Sequence, residues 1–183
     1  MTSTDDAQLA FEHAPVGLCI TRQRRISTCN TTFAEMFGYL REELEGESLE
    51  CLYPSHHEFE NIAQRGLPML LNAGTYSDER IMRHRSGKLF WCHVSGRAED
   101  KADPFACAVW MFEDLSATRA VTADLTPRER EVAHLLVTGK TSKQIARSLN
   151  LSPRTVEAHR ARLMHKLQVA TPGEMIARLV GIG

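Results

Sequence analysis

Four signals for the start of an α-helix follow one another between Leu125 and Gly183. In three of them a threonine stands three residues before Glu or Gln, so its hydroxyl can accept from the first turn while the longer side chain returns to the cap. In the other, a serine precedes a proline, which is favoured at the first helical position. The four signals are Thr126–Glu129, Thr141–Gln144, Ser152-Pro153 and Thr171–Glu174. With stops at Gly139 and Asn150, they predict four short helices containing a helix-turn-helix unit.

Apolar residues recur at helical spacing in each of these segments. They are Val132, Leu135 and Leu136 in the first, Ile145, Ala146, Leu149 and Leu151 in and after the second, Val156, Leu163 and Leu167 in the third, and Met175, Ile176, Leu179 and Val180 in the fourth. We expect these residues to close one small core.

The third helix then presents a distinct outer face. A rotation of about 100° per residue places Arg154, Glu157, Ala158, Ala161, Arg162 and His165 opposite the apolar stripe, with Thr155, His159 and Lys166 along one flank. Small residues at the centre and cations at the edges suit close approach to base edges between two phosphate strands. An ordinary solvated helix face is the alternative, and the capped helix-turn-helix setting favours DNA.

The charges of the chain are divided unevenly. Residues 121–183 carry 10 Lys and Arg against 5 Asp and Glu, whereas the first 120 residues carry 12 against 18. The formal net charge of -1 therefore combines a basic end with an acidic body, which favours contact of the basic end with a polyanion. No apolar run approaches the roughly 20 residues of a membrane helix, and no signal peptide is recognisable. We expect a cytoplasmic protein without a membrane partner.

The basic end resembles the LuxR-type helix-turn-helix. The resemblance is carried by residues 125–132 (LTPREREV), 141–146 (TSKQIA) and 151–159 (LSPRTVEAH), followed by Lys166-Leu167. It implies double-stranded DNA as partner and a dimer contact through the fourth helix. It also implies that Lys143, Thr155, His159 and Lys166 lie at or near phosphates, and that Glu157, Ala158, Ala161 and Arg162 face the major groove. The residues predicted to contact DNA are Lys143, Ser152, Arg154, Thr155, Glu157, Ala158, His159, Ala161, Arg162 and Lys166.

One position departs from the family. Glu157 stands where lysine is common in LuxR-type proteins. A carboxylate repels phosphates but can accept from the N4 amino group of cytosine. We therefore interpret Glu157 as a contributor to base preference, while Lys166 is expected to strengthen binding to all sequences alike.

The first 115 residues predict strands around small helices. Residues 17–21 and 26–29 flank a turn, Asn30 can cap a helix that ends at Gly38, and residues 76–85 and 88–97 form a hairpin around Ser86-Gly87. Residues 105–112 are an apolar final strand. This order implies an antiparallel sheet with helices on one side.

This order of elements resembles a PAS domain. The resembling residues are Asn30, Phe33, Phe37-Gly38-Tyr39, residues 43–46 (ELEG), residues 85–87 (RSG) and residues 113–116 (EDLS), and Leu40 departs from the usual Ser or Thr cap. The whole chain is then α+β, with a five-stranded PAS-like sheet followed by an all-α four-helix domain. We predict a sensor domain at 1–116, a connector at 117–123 and the DNA-binding domain at 124–183.

The nature of the signal is less constrained. Leu49 holds the position of the reactive cysteine of flavin-binding PAS photoreceptors and Tyr53 that of their glutamine, so no flavin photoadduct is expected. No cofactor is expected, with haem on His56 or His57 as the alternative. His84 and His93 in the hairpin are weaker candidates. The remaining hypotheses are a small apolar ligand or a PAS domain that only dimerises.

The five cysteines lie at positions 19, 29, 51, 92 and 107. Their number is odd and no C-x-x-C pair occurs, so neither a disulfide framework nor a zinc knuckle is indicated. Cys51 is expected to act as a small buried hydrophobe. A redox switch at Cys92 or Cys107 would require exposure and a nearby positive charge.

Together these features predict a transcriptional regulator and no enzyme, because no nucleophile–base or metal-ligand pattern occurs. The expected state is a homodimer on a pseudo-palindromic operator, with RNA polymerase as a further candidate partner. The alternative is a photo-, redox or gas sensor whose helical end is a protein-docking or sigma-like module.

Overall fold

The computed structural model describes residues 3–117 and 125–180. The chain divides into two compact units between Asp114 and Leu115. Most of the connector predicted at 117–123 lies outside the described residues. Each unit is described separately below.

The first unit is built on one five-stranded antiparallel sheet. Its strands are β1 (Gly17–Arg22), β2 (Arg25–Cys29), β3 (Thr75–Arg83), β4 (Leu89–Ala98) and β5 (Ala108–Asp114), in the spatial order β2-β1-β5-β4-β3. The helices are α1 (Ser3–Glu12), α2 (Thr31–Phe37), α3 (Arg41–Leu44) and α4 (His56–Ala73), with a 3₁₀ turn at Leu49–Leu52. The predicted α+β class and five-stranded sheet are confirmed.

The β1–β2 hairpin turns on two residues in the left-handed region. Gln23 has φ 50° and Arg24 φ 62°, conformations that favour Gly or Asn. Contacts of the Arg24 side chain offset this strain, because its guanidinium lies 3.6 Å from the centre of the Phe59 ring and 2.9 Å from Glu60 Oε1. The turn is therefore tied to α4.

Asn30 is the central polar residue of this unit and is fully buried. Its Oδ1 accepts from the backbone N–H groups of Leu18 and Phe33, both at 2.9 Å, so it caps α2 as predicted. Its Nδ2 donates to the carbonyls of Phe11 and Val16, both at 3.0 Å. One amide thus joins α1, β1 and α2 with all of these polar groups satisfied.

Aromatic rings fill the space between the sheet and the helices. Phe33 lies 5.0 Å from both Phe37 and Phe112, and Phe37 lies 5.5 Å from Phe90, with tilted or edge-on rings. All four are buried, which places the core on the inner face of the sheet.

One sequence expectation differs from the structure, and two elements were not predicted. The final strand begins at Ala108 and not at residue 105, because Ala106 closes a turn onto Asp103 and the Phe105 carbonyl accepts from Gln23. Helix α1 was not predicted, and neither was the 18-residue length of α4, which contains Pro68. Leu40 provides no side-chain cap, but Glu43 Oε2 accepts from its N–H at 2.9 Å.

The second unit consists of four helices, α5 (Pro127–Val137), α6 (Ser142–Ser148), α7 (Pro153–Lys166) and α8 (Pro172–Val180). All four predicted caps are present, with Thr126, Thr141, Ser152 and Thr171 each accepting from an N–H three residues on. Gly139 and Asn150 take φ 75° and 52°, as the predicted stops require.

Most residues of the predicted core of this unit are buried. Val132, Ile145, Val156, Leu163 and Met175 are fully buried, whereas Leu149, Leu151 and Ile176 are half-buried at its edge. Val180 lies at a position whose side chain is outside the described residues. Helix α7 packs through this core on α5, α6 and α8.

Candidate nucleic-acid interface and sensor cavity

Helix α7 is fixed on one side and open on the other. Ser152 Oγ accepts from Thr155 N–H at 3.0 Å and Pro153 occupies the first turn, which sets where the helix begins. Val156 and Leu163 anchor it in the core. The opposite face is therefore presented to solvent as a continuous helical surface.

The predicted DNA-contacting residues fall on this surface and on the start of α6. Lys143, Ser152, Arg154, Glu157, Ala158, Ala161, Arg162 and Lys166 are exposed, and Thr155 and His159 are half-buried. Within residues 3–117 and 125–180, no hydrogen bond or ion pair holds Lys143, Arg154 or Arg162. These three cations are available to phosphates or bases, and their contact with DNA stays a prediction.

Lys166 has a partner inside the protein. Its Nζ lies 2.7 Å from Glu129 Oε2, and the Glu129 side chain is only 3% exposed. The same oxygen accepts from Thr126 N–H at 2.8 Å. Burial raises the pKa of Glu129, but the hydrogen bonds from Lys166 and Thr126 outweigh it and leave this pKa below its usual range. Lys166 therefore joins the end of α7 to the start of α5.

Two arginines were missed by the sequence analysis. Arg160 donates from Nη1 to Ser142 Oγ at 2.7 Å and lies 3.4 Å from Glu157 Oε1, which fixes α7 against the start of α6. Arg128 donates from Nη2 to the Leu149 carbonyl at 2.7 Å and so caps the end of α6. The i,i+3 spacing indicates the pair of Glu157 and Arg160, but it does not indicate the contact of Arg160 with Ser142.

His159 stands at the flank of the exposed face with a buried Nδ1 that has no hydrogen-bond partner among the described residues. Its pKa is lowered, first by burial and then by the positive charges of Arg162 and Arg128. Burial and these charges therefore favour the neutral form of the His159 imidazole.

The first unit contains a small cavity between the sheet and α4, which no sequence pattern located. Its free volume of about 40 Å³ accommodates about three water-sized groups. Its wall contains the aromatic residues Tyr53, Phe59, Tyr76, Phe105, Trp110 and Phe112, the aliphatic residues Leu49, Ile62, Ala63, Leu70 and Val94, and the polar residues Thr21, Arg24 and Arg80.

One end of the cavity wall is a buried polar network around Arg80. Arg80 donates from Nε to Asp78 Oδ1 at 2.7 Å and from Nη1 to the Tyr53 hydroxyl at 2.6 Å, and its Nη2 also contacts Asp78 Oδ1. Tyr76 donates to Asp78 Oδ2 at 2.7 Å. Burial raises the pKa of Tyr53, aided by the negative charge of Asp78 and opposed by the positive charge of Arg80, so the phenol keeps its proton at neutral pH.

The other end of the wall is formed by Thr21 and Trp110. Trp110 Nε1 donates to Thr21 Oγ1 at 3.0 Å, and Thr21 is 3% exposed. Gly96 underlies this contact, because a Cβ at that position would overlap the indole of Trp110. Strand β4 thus leaves room for the indole to lie flat against it.

The residues around the cavity do not fit haem. His56 and His57 begin α4 as predicted, but both are exposed and neither lines the cavity. His56 Nδ1 lies 3.0 Å from Glu50 Oε1, and His57 Nε2 lies 3.1 Å from Asn61 Nδ2. A free volume of about 40 Å³ has no room for a porphyrin.

The setting of a reactive thiol is found neither at Cys92 and Cys107, the candidate switches, nor at Cys51. Cys92 is fully buried, and burial raises its pKa to about 12. The pKa of Cys107 is raised by a hydrogen bond to Glu99. Cys51 is half-buried against the core, and burial raises its pKa to about 11. At neutral pH these thiols are protonated, which disfavours attack on an oxidant.

The fold and surfaces define a sensor-type α+β domain joined to a helix-turn-helix domain. Residues 15–117 match the PAS domain family and residues 123–178 match the bacterial regulatory proteins of the luxR family. The chain belongs to the PAS domain family and carries the regulatory domain of the LuxR family in its second unit. Both resemblances drawn from the sequence are confirmed.

Individual proteins resemble each unit separately. The PAS domain of a LuxR-family transcriptional regulator from Burkholderia thailandensis, solved in complex with ethanol, is 50% identical, covers 60% of this chain and 96% of that one, and has a TM-score of 0.59. The transcriptional regulatory protein UhpA of Escherichia coli is 51% identical over 55 residues, which are 30% of this chain and 28% of UhpA.

A whole-chain likeness of fold also exists. A structure of VqmA from Vibrio cholerae covers 100% of this chain and 90% of that one, at 20% identity and a TM-score of 0.58. The chain spans only 22% to 48% of the length of the curated relatives it matches. Among the described helices, none combines the length and apolar character needed to cross a bilayer.

Proposed function

We propose that this chain is a sequence-specific DNA-binding transcriptional regulator whose PAS domain senses a signal or mediates dimerisation and controls the helix-turn-helix. The observation that carries the proposal is the exposed face of α7, where Arg154 and Arg162 flank Ala158 and Ala161 on a helix anchored by buried Val156 and Leu163. Small residues between cations allow a helix to approach base edges while phosphates are neutralised.

The relatives support a regulatory role. UhpA is a transcriptional regulatory protein, and the similar PAS domain from Burkholderia thailandensis belongs to a LuxR-family transcriptional regulator. We infer that the chain acts in the cytoplasm by binding and not by catalysis, as a homodimer on a pseudo-palindromic operator with half-sites about one helical turn apart. RNA polymerase is a proposed further partner.

The proposed route of control is the last strand of the sheet. Trp110 and Phe112 on β5 line the cavity, and β5 ends at Asp114, next to the boundary between the two units. Phe112 and Trp110 lie only two and four residues before the end of β5. A change at the cavity can therefore pass along this strand to the segment that leads into the DNA-binding unit. In a dimer this would alter the spacing of the two α7 helices.

The proposal is tested by selecting duplexes from a random pool with the full chain and measuring affinity for the selected site. Arg162→Ala is expected to weaken binding about tenfold or more, because each good base or phosphate contact contributes about 1–3 kcal/mol. Lys88→Ala, which removes an exposed cation of the β3–β4 hairpin, is the matched control. Failure to enrich any sequence, or equal affinity of Arg162→Ala and Lys88→Ala, would contradict the proposal. Sedimentation of the free protein tests the dimer.

A further inference from the structure

Two hydroxyl groups in the wall of the cavity accept a hydrogen bond but donate none within the described part of the chain. Tyr53 accepts from Arg80 at 2.6 Å, and Thr21 accepts from Trp110 Nε1 at 3.0 Å. No acceptor for either hydroxyl proton occurs among the residues that the structure describes. Tyr53 and Thr21 are 6% and 3% exposed, so each proton is a buried donor beside the cavity. A buried donor without an acceptor costs free energy, so a ligand that supplies an acceptor is favoured here.

The charges at the cavity cancel. Arg80 is paired with Asp78, and Arg24 is paired with Glu60 at 2.9 Å while it stacks on Phe59. No uncompensated cation therefore remains in the wall to offset the desolvation of an anionic ligand. The rest of the wall is aromatic and aliphatic, which suits the apolar part of a ligand.

We infer that the cavity binds a small neutral molecule that carries a hydrogen-bond acceptor such as a carbonyl oxygen, with Tyr53 as the principal donor and Thr21 as the second donor. The free volume of about 40 Å³ restricts the ligand to a few heavy atoms. This inference rests on the proposed sensing role of the PAS domain and specifies the class of molecule sensed.

Acetone and acetate provide an isosteric pair for the test, since they share four heavy atoms and differ in charge. The full chain is titrated with each, and the indole N–H resonance of Trp110 is followed by NMR, assigned with a Trp91→Phe variant. A ligand of four heavy atoms binds no tighter than about 40 μM, so titrations extend to about 100 mM. Acetone is expected to shift the resonance saturably, and acetate to bind at least tenfold more weakly.

Variants assign the donor. Tyr53→Phe is expected to weaken acetone binding about fivefold, the effect of one hydrogen bond, and Thr21→Val to weaken it by a smaller factor. Tyr39→Phe, which changes a half-buried tyrosine outside the cavity wall, is the matched control and should bind as the wild type does. The Trp110 resonance of each free variant shows whether the domain is folded, and Thr21→Val decides the question if Tyr53→Phe does not fold.

Three results would overturn the inference: no saturable shift with acetone, acetate binding at least as tight as acetone, or unchanged affinity in both Tyr53→Phe and Thr21→Val. Selection of duplex sites with the same preparations tests the regulatory proposal independently. A chain that enriches a DNA sequence but binds no neutral ligand loses only the present inference. A chain that binds acetone but enriches no DNA loses the regulatory proposal.

Discussion

The ammonium of Lys166 and the buried carboxylate of Glu129 lie 2.7 Å apart, although the two residues are 37 positions apart in the sequence. Glu129 simultaneously completes the capping box of α5 through Thr126. One carboxylate oxygen of Glu129 thus holds both the start of α5 and the end of α7. This contact ties the end of α7 to the start of α5.

Lys166→Met is expected to destabilise the second unit by about 2 kcal/mol, because it leaves Glu129 buried without its cationic partner. The loss is below that of a fully buried pair, since Lys166 is 33% exposed. Urea unfolding followed by far-UV circular dichroism measures it. Lys143→Met, at an exposed position on α6, should change stability by less than about 0.5 kcal/mol, and equal losses in the two variants would contradict the assignment.

Low pH is expected to remove the stabilisation that the pair of Lys166 and Glu129 contributes. The pKa of Glu129 is lowered in the folded state, so its stabilisation is present above the usual carboxyl value of about 4.3 and is lost as pH falls through the lowered pKa. The difference in unfolding free energy between wild type and Lys166→Met is expected to shrink as pH falls from 6 towards 3. A difference that stays constant over this interval would show that the pair does not account for the loss.

His159 predicts a separate effect at higher pH. Burial and the charges of Arg162 and Arg128 lower the pKa of His159. The contribution of this residue to the unfolding free energy is therefore fully present above about pH 6.5 and is lost as pH falls through the lowered pKa. His159→Gln should lack this step in a plot of unfolding free energy against pH. His165→Gln, at an exposed position of the same helix, should retain it; persistence of the step in His159→Gln would refute the prediction.

The phosphate contacts are tested by salt. Lys143→Ala and Lys166→Ala are expected to weaken binding to all sequences alike and to reduce the slope of log K against log salt by about 0.9 for each lost contact. Fluorescence anisotropy with the selected duplex measures both quantities. An unchanged slope for Lys166→Ala, together with lower stability, would confine Lys166 to its structural contact with Glu129.

Glu157 is expected to contribute to base preference. Its carboxylate lies 3.4 Å from Arg160 Nη1, which orients it on the exposed face of α7. Glu157→Gln should redistribute the preferred bases at one or two positions of the selected site, measured by repeating the selection with the variant. Tighter binding to every sequence with unchanged preference would mean that Glu157 only repels phosphate.

Much of the second unit was predictable because its signals are local. The caps at Thr126, Thr141 and Ser152 act over three residues, and the stop at Asn150 acts on its own backbone. Short-range hydrogen bonds of this kind are written directly in the order of residues. The helix boundaries and the exposed face of α7 therefore follow from the sequence with little tertiary information.

The contacts that fix these helices to one another were not predictable in the same way. Arg160 reaches Ser142 across 18 residues, and Arg128 reaches the Leu149 carbonyl across 21. Such pairs depend on how helices pack and leave no periodic trace. The start of β5 was misplaced for the same reason, because the turn before it is set by the long-range bond between Gln23 and Phe105.

The cavity illustrates the limit most clearly. Its wall runs from Thr21 to Phe112 and includes residues from four strands and α4. Tyr53 and Arg80 are 27 residues apart, and nothing in either neighbourhood indicates that their side chains meet. Only the fold brings these side chains together, so the sequence predicted a PAS domain but not which residues line its cavity.

Strand β5 is paired on both sides. Its residues Ala108 to Phe112 pair with β1, and its whole length, Ala108 to Asp114, pairs with β4. Sliding β5 along its axis would break both hydrogen-bond ladders at once and turn every inner side chain outward at a one-residue slip. The two ladders therefore hold β5 against translation along its axis. We predict that a ligand in the cavity acts through the twist at the end of this strand and not through a shift along it.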